Sequence, residues 1–205
     1  MSDRIGAIIL AAGSSSRMGS AGLKQLLQFH GESLLRRAIR TAEGAGLDPI
    51  VVTLGAFADR IRADIAEQHI RLVENPRWEA GMGSTLRAGL SGLLACAAEI
   101  DAVVIALCDQ PLVTSEDLRR LVEAFHKTGK PLVASGYGET VGVPALIEKR
   151  YFDRVNKLPD AAGAKALFAG NSENVAVVAM PNAALDIDSP EDLQQMSDGI
   201  DSAET

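Results

Sequence analysis

Near its start the chain carries an unbroken apolar run, Ile5–Ala12 (IGAIILAA), which ends at Gly13. A strand with one solvent-exposed face alternates apolar and polar residues, so an unbroken run indicates a strand buried on both faces of a parallel sheet. The chain therefore has to bury a sheet between two other layers. Similar short runs follow at Pro49–Leu54, Ile70–Val73, Ala102–Leu107, Pro131–Ala134 and Val175–Val178.

Amphipathic helices are predicted between these strands, at Ser33–Ala42, Thr85–Ala98 and Ser115–Lys127. In each of them apolar residues recur at the spacing of one helix face. Strands that alternate with helices of this length form βαβ units with right-handed crossovers. We therefore predict an α/β fold with helices on both faces of a mostly parallel sheet, whose ligand site lies beyond the carboxyl ends of the strands.

The length of 205 residues and the 47% content of hydrophobic residues fit one domain with its own core. We expect this domain to span residues 1–197 and a polar tail to occupy residues 198–205. From Gly136 to Ala164, glycines and prolines interrupt the periodicity of strands and helices. We interpret that segment as an insertion that covers the site.

Charge and cysteine content argue against several classes of protein. The net charge of −7 disfavours a dedicated nucleic-acid binder, which needs a basic face. Cys96 and Cys108 belong to no CxxC or Cys/His cluster, so we expect reduced thiols. Neither a leader peptide nor a run of roughly 20 apolar residues is apparent. We expect no membrane contact and a cytoplasmic location.

The first motif with chemical potential follows the first strand and leads to Lys24. It consists of Leu10, Ala11, Ala12, Gly13, Ser14, Ser15, Ser16, Arg17, Met18 and Gly19. Its small residues allow backbone N–H groups to approach an anion, and Arg17 and Lys24 add positive charge for phosphate oxygens. It matches neither a Walker A loop nor a GxGxxG loop. A flexible turn with two solvated cations is the alternative interpretation.

A carboxylate, Asp109, follows directly after the Ala102–Leu107 run. Beyond the end of a parallel strand it can reach a metal that bridges triphosphate oxygens, and Mg²⁺ prefers one or two carboxylates plus phosphates. The alternative is a cap for the helix that begins near Ser115, but Thr114 is already available as that cap. We therefore favour Asp109 as a metal ligand.

A Gly-rich turn, residues 81–84, leads from Asn75 and Trp78 into the second predicted helix. Ser84 can cap this helix, and the helix N-terminus can receive the polar edge of a nucleotide. Simple capping, with Trp78 as a packing anchor, explains the same residues. Local sequence alone favours that simpler interpretation.

Two acids, Asp186 and Asp188, precede Ser189-Pro190, which is a typical helix start. The helix start accounts for Ser189 and the acids that follow it. It accounts for neither Asp186 nor Asp188. We predict that Asp188 is a second metal ligand.

Five segments, taken in order, resemble the MobA-like nucleotidyltransferase family: LAAGSSSRMG, KQLLQFHGESLLRRAI, NPRWEAGMGSTLRAGL, DQPLVT and DIDSPEDL. The resemblance extends from Ile5 to Gln195 and is strongest to the molybdenum cofactor cytidylyltransferase branch. It implies a Rossmann-like three-layer α/β/α fold of the nucleotidyltransferase type. The implied reaction is attack by the terminal phosphate of molybdopterin on the α-phosphate of CTP, with Mg²⁺ as cofactor and release of pyrophosphate.

The resemblance also assigns roles to individual residues. The loop of residues 10–19, including Arg17, would hold the triphosphate together with Lys24, and Asp109 and Asp188 would hold the metal. Arg17, Lys24 and Asp109 are thus the expected catalytic residues, since this type of transfer needs positioning and charge neutralisation more than covalent chemistry.

The nucleotide itself would lie near Asn75, Gly81, Ser84 and Cys108. In this family LAAG together with DQP goes with cytidine rather than guanosine. The chain has Ala12 in the first of these motifs and Gln110 in the second, so CTP is the expected donor. The expected partners are therefore CTP and molybdopterin, with a molybdoenzyme or its chaperone as protein partner.

The chain departs from the family pattern in three places. Four residues separate Gly19 from Lys24, where relatives usually have two. Residues 142–144 (GVP) replace a GHP-type turn, and residues 160–165 (DAAGAK) replace a GDxGAR stretch. The last two segments are expected to line the acceptor pocket. A sugar phosphate or another phosphorylated small molecule is therefore an alternative acceptor, and a non-catalytic accessory protein that binds the cofactor is the other alternative.

We expect Arg17→Ala and Asp109→Ala each to abolish turnover and to leave the fold intact. Loss of one electrostatic contact in such a site costs on the order of 10²–10³ in rate. Pyrophosphate release by the purified variants, compared with their circular dichroism spectra, checks this expectation. Wild-type activity in either variant contradicts the assignment.

Overall fold

The computed structural model describes residues 3–189, 191, 192, 194 and 196, with all side chains in this part except those of Arg17, Ser20 and Ala21. The strands are β1 (Ile5–Ala11), β2 (Gln28–Phe29), β3 (Glu32–Ser33), β4 (Ile50–Leu54), β5 (Arg71–Glu74), β6 (Ala102–Leu107), β7 (Leu132–Tyr137), β8 (Thr140–Glu148) and β9 (Val175–Ala179). Seven of them form the central sheet, and β2 and β3 pair separately.

Five α-helices are described, and short 3₁₀ helices connect several elements. They are α1 (Leu34–Gly44), α2 (Ala58–Asp64), α3 (Met82–Cys96), α4 (Ser115–Thr128) and α5 (Phe152–Asn156). Within the described part of the chain, no helix is long and apolar enough to cross a membrane. The three helices predicted from sequence are present as α1, α3 and α4, although α3 begins at Met82, about one turn before the predicted start.

All seven residues of β1 are buried, and they divide between two cores. Ala7 and Ile9 pack with residues of α1, α2 and α4. Ile8 and Leu10 pack with residues of α3 and α5. Because successive side chains of a strand point to opposite faces, the sheet is covered by helices on both sides. The predicted three-layer α/β/α architecture is confirmed.

The order of strands in the sheet is β5-β4-β1-β6-β8-β7-β9. Neighbours among β5, β4, β1 and β6 pair in parallel, and β9 pairs in parallel with β7. Only β8 runs antiparallel to both of its neighbours. The sheet is thus mostly parallel and Rossmann-like, and each of the six apolar runs supplies one of its strands.

Residues 136–164 were interpreted as an insertion over the site, and this is wrong for the part that forms β8. This strand lies inside the sheet, between β6 and β7. Gly142 and Pro144 hide it in the sequence because both are depleted in strands. The structure accommodates them at an irregularity, where Ala134 pairs with Ala145 while Ser135 pairs with Gly142, so Pro144 falls where the ladder is interrupted.

Helix α4 begins with a capping box that extends into a wider network. The side chain of Thr114 accepts a hydrogen bond from Asp117 N, and Asp117 Oδ2 accepts one from Thr114 N at 3.0 Å. Asn182 Nδ2 also donates to Asp117 Oδ2, at 2.7 Å. Burial alone would raise the pKa of Asp117, but these bonds and the charge of Arg120 outweigh burial and lower it. The ionised carboxylate therefore stabilises the fold.

We expect Asp117→Asn to lower the free energy of unfolding by about 1–2 kcal/mol at neutral pH. A carboxyl group with a lowered pKa in the folded state contributes stability above its ordinary pKa, and this contribution is lost as the pH falls through the folded-state pKa. The difference between variant and wild type should therefore shrink in acid. Urea unfolding at neutral and acid pH measures it.

Glu116→Gln is the matched control for that variant. Glu116 is exposed and pairs only with Arg119 in the i,i+3 position among the described residues, so its change should stay within about 0.5 kcal/mol. An Asp117→Asn variant that unfolds like the Glu116→Gln variant at neutral pH contradicts the role given to Asp117.

Candidate active site

A cavity of about 350 Å³ opens beyond the carboxyl ends of β1 and β6. Of the residues predicted from sequence, the structure places residues 10–14 with Lys24, Gly81, Cys108 and Asp109 along its wall. The position agrees with the rule that sites in open α/β sheets lie beyond the carboxyl ends of the strands. Burial raises the pKa of the Cys108 thiol, so this side chain faces the cavity as a neutral group.

Asn75 and Ser84 do not line this cavity. Both are buried, and Asn75 Nδ2 donates a hydrogen bond to Ser84 Oγ at 3.0 Å. Ser84 Oγ in turn donates to the carbonyl oxygen of Arg77 at 3.1 Å. The two side chains thus stabilise the turn before α3 and lie outside the cavity lining. Their predicted contact with base and ribose stays a prediction.

The amides at the start of α3 have a partner within the chain. The N–H groups of Gly83 and Ser84 donate to the carbonyl oxygen of Asp160, at 2.8 and 3.3 Å. These two amides therefore already have an acceptor within the chain. From sequence, this helix end is considered as a place for the polar edge of a nucleotide, and that contact stays a prediction. The helix begins after Gly81, without a side-chain cap from Ser84.

Asp160 fastens the segment predicted to line the acceptor pocket onto α3. Arg77 Nη2 contacts Asp160 Oδ2 at 3.0 Å, and Arg87 Nη2 contacts Asp160 Oδ1. Gly81 has a φ of 126°, and a Cβ atom there would lie 2.6 Å from the Asp160 oxygen; at Gly83 it would lie 2.2 Å from the oxygen of Pro159. Only glycine permits this close approach of two backbone segments.

Gln25 is a site residue that the sequence analysis missed. Its side chain is almost fully buried and lines the cavity. Nε2 donates to the carbonyl oxygens of Ala11 and Gly13, at 3.2 and 2.8 Å, and Oε1 accepts from Ser15 Oγ at 3.0 Å. The glutamine therefore fixes the loop after β1. The only signal was its place next to Lys24, and sequence does not tell that a glutamine is buried.

The loop after β1 folds back on itself through Ser15. This residue has a left-handed backbone, with a φ of 55°, and its Oγ accepts a hydrogen bond from Lys24 N at 3.0 Å. Met18 is buried, and Met18 N donates to the Ser15 oxygen at 2.9 Å. These contacts connect the loop directly to Lys24 across residues 20–23, which are two residues more than the family usually has at this place. The side chain of Arg17 lies outside the described part, so its role stays a prediction.

Lys24 joins the two acids that were predicted as metal ligands. Lys24 Nζ lies 2.5 Å from Asp109 Oδ2 and 2.9 Å from Asp188 Oδ1. The side chains of Lys24 and Asp109 are mostly buried, while that of Asp188 is 46% exposed. Burial alone would lower the pKa of Lys24, but the charge of Asp109 and hydrogen bonds to both acids outweigh it and raise the pKa. Lys24 is therefore a cation in this site.

A divalent metal fits the same acids. Asp109 Oδ1 is buried and has no hydrogen-bond partner among the described residues, an arrangement that costs free energy without a ligand. No group of three His, Cys, Asp or Glu side chains with metal-binding geometry occurs in the described part of the chain. Two carboxylates supplemented by phosphate oxygens are what Mg²⁺ commonly uses.

The second acid comes from a segment that is tied to the first. Ile187 N donates to the backbone carbonyl oxygen of Asp109 at 2.9 Å, and the Ile187 side chain is fully buried. Partial burial and then the charge of Asp109 raise the pKa of Asp186, beside Ile187, to about 6. Ser189 and Asp192 exchange hydrogen bonds as in a capping box, in line with the predicted helix start; Pro190 lies outside the described residues.

Comparison with known proteins gives a family match and several relatives. Residues 7–177 match the model of the MobA-like NTP transferase domain. Nicotine blue oxidoreductase of Paenarthrobacter nicotinovorans is 33% identical over 142 residues, which are 69% of this chain and 66% of that protein. The bifunctional protein GlmU of Cutibacterium acnes is 30% identical over 164 residues, which are 73% of this chain and 38% of that protein. The chain thus spans about a third of GlmU and just under two thirds of the oxidoreductase.

Solved structures include Rv0371c from Mycobacterium tuberculosis H37Rv, to which the chain is similar over nearly its whole length. The TM-score is 0.78 with 26% identity, and the match covers 96% of this chain and 98% of Rv0371c. A complex of Rv0371c with manganese aligns with a TM-score of 0.74 and the same identity, over 94% of this chain and 97% of that one.

We expect Lys24→Met to change the binding of cations and of anions in opposite directions. The ammonium group and a divalent ion compete for the same carboxylate oxygens, so Mn²⁺ alone should bind more tightly to the variant, on the order of tenfold. A nucleoside triphosphate without metal should bind more weakly because a positive charge is lost. Electron paramagnetic resonance of free Mn²⁺ and nucleotide titration measure the two affinities.

Lys157→Met serves as the control, since Lys157 is exposed at the end of α5, and both affinities should remain unchanged there. Unchanged or weaker binding of Mn²⁺ by the Lys24→Met variant shows that Lys24 does not share the metal's ligands.

Proposed function

Because this chain belongs to the MobA-like NTP transferase family, we propose that it transfers a nucleotidyl group from a nucleoside triphosphate to a phosphorylated acceptor. CTP is the proposed donor and molybdopterin the proposed acceptor, with release of pyrophosphate. The convergence of Lys24, Asp109 and Asp188 beside a cavity at the ends of β1 and β6 carries this proposal. A cation and two carboxylates are the groups that a triphosphate and its metal require.

The charged groups of the site suit transfer of a group between phosphates. A divalent metal, Mg²⁺ in our proposal, would be held by Asp109 and Asp188 and would neutralise charge on the triphosphate oxygens. Lys24 then supplies a further positive charge from the same wall of the cavity. The acceptor phosphate is already a nucleophile, so its attack needs no general base. Catalysis rests on positioning and on charge.

The preference for CTP is supported by the resemblance to the cytidine branch of the family. Ala12 is the residue that distinguishes LAAG from the LAGG of the guanosine branch, and Gln110 belongs to the accompanying DQP motif. Ala12 lines the cavity.

The acceptor is the less constrained half of the proposal. The segments of residues 142–144 and 160–165 differ from the family pattern, so a sugar phosphate or another phosphorylated small molecule is the second candidate. A non-catalytic cofactor-binding role is the third. The names of relatives do not decide among them, since the chain covers only part of GlmU and of nicotine blue oxidoreductase.

A screen for pyrophosphate release tests the proposal directly. The purified protein is incubated with each of the four common nucleoside triphosphates, with and without molybdopterin and with Mg²⁺ or EDTA. Release should occur with CTP and only when molybdopterin and the metal are both present. Asp109→Asn should reduce the rate by at least about 100-fold, whereas Asp153→Asn, at an exposed residue of α5, should leave it unchanged.

Other outcomes of the screen point to the remaining candidates. Release with a sugar phosphate keeps nucleotidyl transfer and replaces the acceptor. Binding of CTP without release in any combination favours the accessory role, and Trp78 reports such binding because it is the only tryptophan and lines the cavity. Consumption of a reduced nicotinamide dinucleotide, without pyrophosphate release, would overturn the proposal in favour of redox chemistry.

A further inference from the structure

We infer that Gln110 is a positioning residue that holds the segment carrying Asp186 and Asp188 against the end of β6, so that these carboxylates face Asp109. The inference rests on the proposed function, because the carboxylates matter there as metal ligands. Asp109 and Asp188 lie far apart in sequence, yet both reach the same lysine nitrogen within 2.9 Å. Some group has to fix the distance between their two segments.

The side chain of Gln110 has the position that this task requires. It is 5% exposed, and Nε2 donates to the carbonyl oxygen of Ala183 at 2.8 Å. The same nitrogen reaches the oxygen of Val143 in β8 at 3.3 Å. One buried amide group thus joins the end of β6 to a neighbouring strand and to the segment before Asp186.

A second bond attaches the same segment further along. Ile187 N donates to the backbone carbonyl oxygen of Asp109, at 2.9 Å. Residues 183 and 187 are therefore tied to the consecutive residues Gln110 and Asp109, and Asp186 lies between the two ties. The Ile187 side chain packs with Phe29 and Leu34 and so anchors the segment in the core. Asp186 and Asp188, on either side of Ile187, lie near Asp109 and Lys24.

Direct recognition of the base by Gln110 is the competing role. The cavity wall contains Leu107, Cys108 and Asp109 but not Gln110. The Gln110 amide nitrogen is already engaged with two backbone carbonyls, and Oε1 is buried without a hydrogen-bond partner among the described residues. An apolar side chain would avoid that unsatisfied oxygen. The amide donor is therefore what this position requires, and its acceptors belong to the protein.

Gln110→Met tests the inference because methionine keeps the length of the side chain and removes the donor. The first readout is the affinity for Mn²⁺ alone, followed by electron paramagnetic resonance. We expect a dissociation constant at least about tenfold higher than that of wild type, the loss typical of a removed partner of a metal ligand. The second readout is the affinity for CTP in EDTA, followed by Trp78 fluorescence, and it should not change.

Two further variants control for folding and for the substitution itself. Gln28→Met makes the same chemical change at an exposed residue of β2, and both affinities should equal those of wild type. Gln110→Asn keeps a buried amide but is one methylene too short to reach Ala183. Circular dichroism shows which variants fold. If Gln110→Met does not fold, the affinity for Mn²⁺ is compared between wild type and Gln110→Asn.

Weaker binding of Mn²⁺ with unchanged binding of CTP supports the positioning role. A change in CTP binding alone overturns it in favour of base recognition, a parallel loss of both overturns it in favour of a general structural role, and no change in either overturns it outright. Failure of wild type to release pyrophosphate would remove the proposed function and leave the Mn²⁺ comparison valid, so the two failures are distinguishable.

Discussion

The burial of β1 on both faces is the constraint on which the rest of the structure depends. Every residue of Ile5–Ala11 is buried, and alternate side chains belong to two different cores. Such a strand has no position for a functional polar side chain, because an unpaired polar group there would cost free energy. Chemistry can therefore begin only where the strand ends. The loop that starts at Ala12, and the corresponding end of β6, form the cavity for this reason.

Two buried glutamines hold these strand ends in the same manner. Gln25 donates to two carbonyl oxygens of the loop after β1, and Gln110 donates to two carbonyl oxygens that flank the end of β6. In both cases one neutral amide donates to two backbone carbonyl oxygens and so connects two stretches of backbone. The charged residues next to them in sequence, Lys24 and Asp109, are thereby held where their side chains form an ion pair.

Much of the fold and part of the site could be predicted from sequence. The strand runs were unmistakable because the sheet is buried on both faces, and Lys24 and Asp109 converge because both follow ends of neighbouring parallel strands. The strand β8 was missed because Gly142 and Pro144 interrupt its pattern. Gln25 was missed because burial of a polar side chain depends on partners that are distant in sequence. The mutual hydrogen bonds of Asn75 and Ser84 are likewise a tertiary property.

The attachment of Asp160 to the start of α3 has a consequence for how such proteins can diverge. The backbone of residues 159–162 directly contacts Gly81 and Gly83, and Gly81 lines the cavity, so a substitution-induced shift of this loop would reach the cavity wall. A substitution that displaces one displaces the other. Under the proposed function, selectivity for the donor and for the acceptor would be linked through this contact, and a change of acceptor would also alter the wall of the donor site.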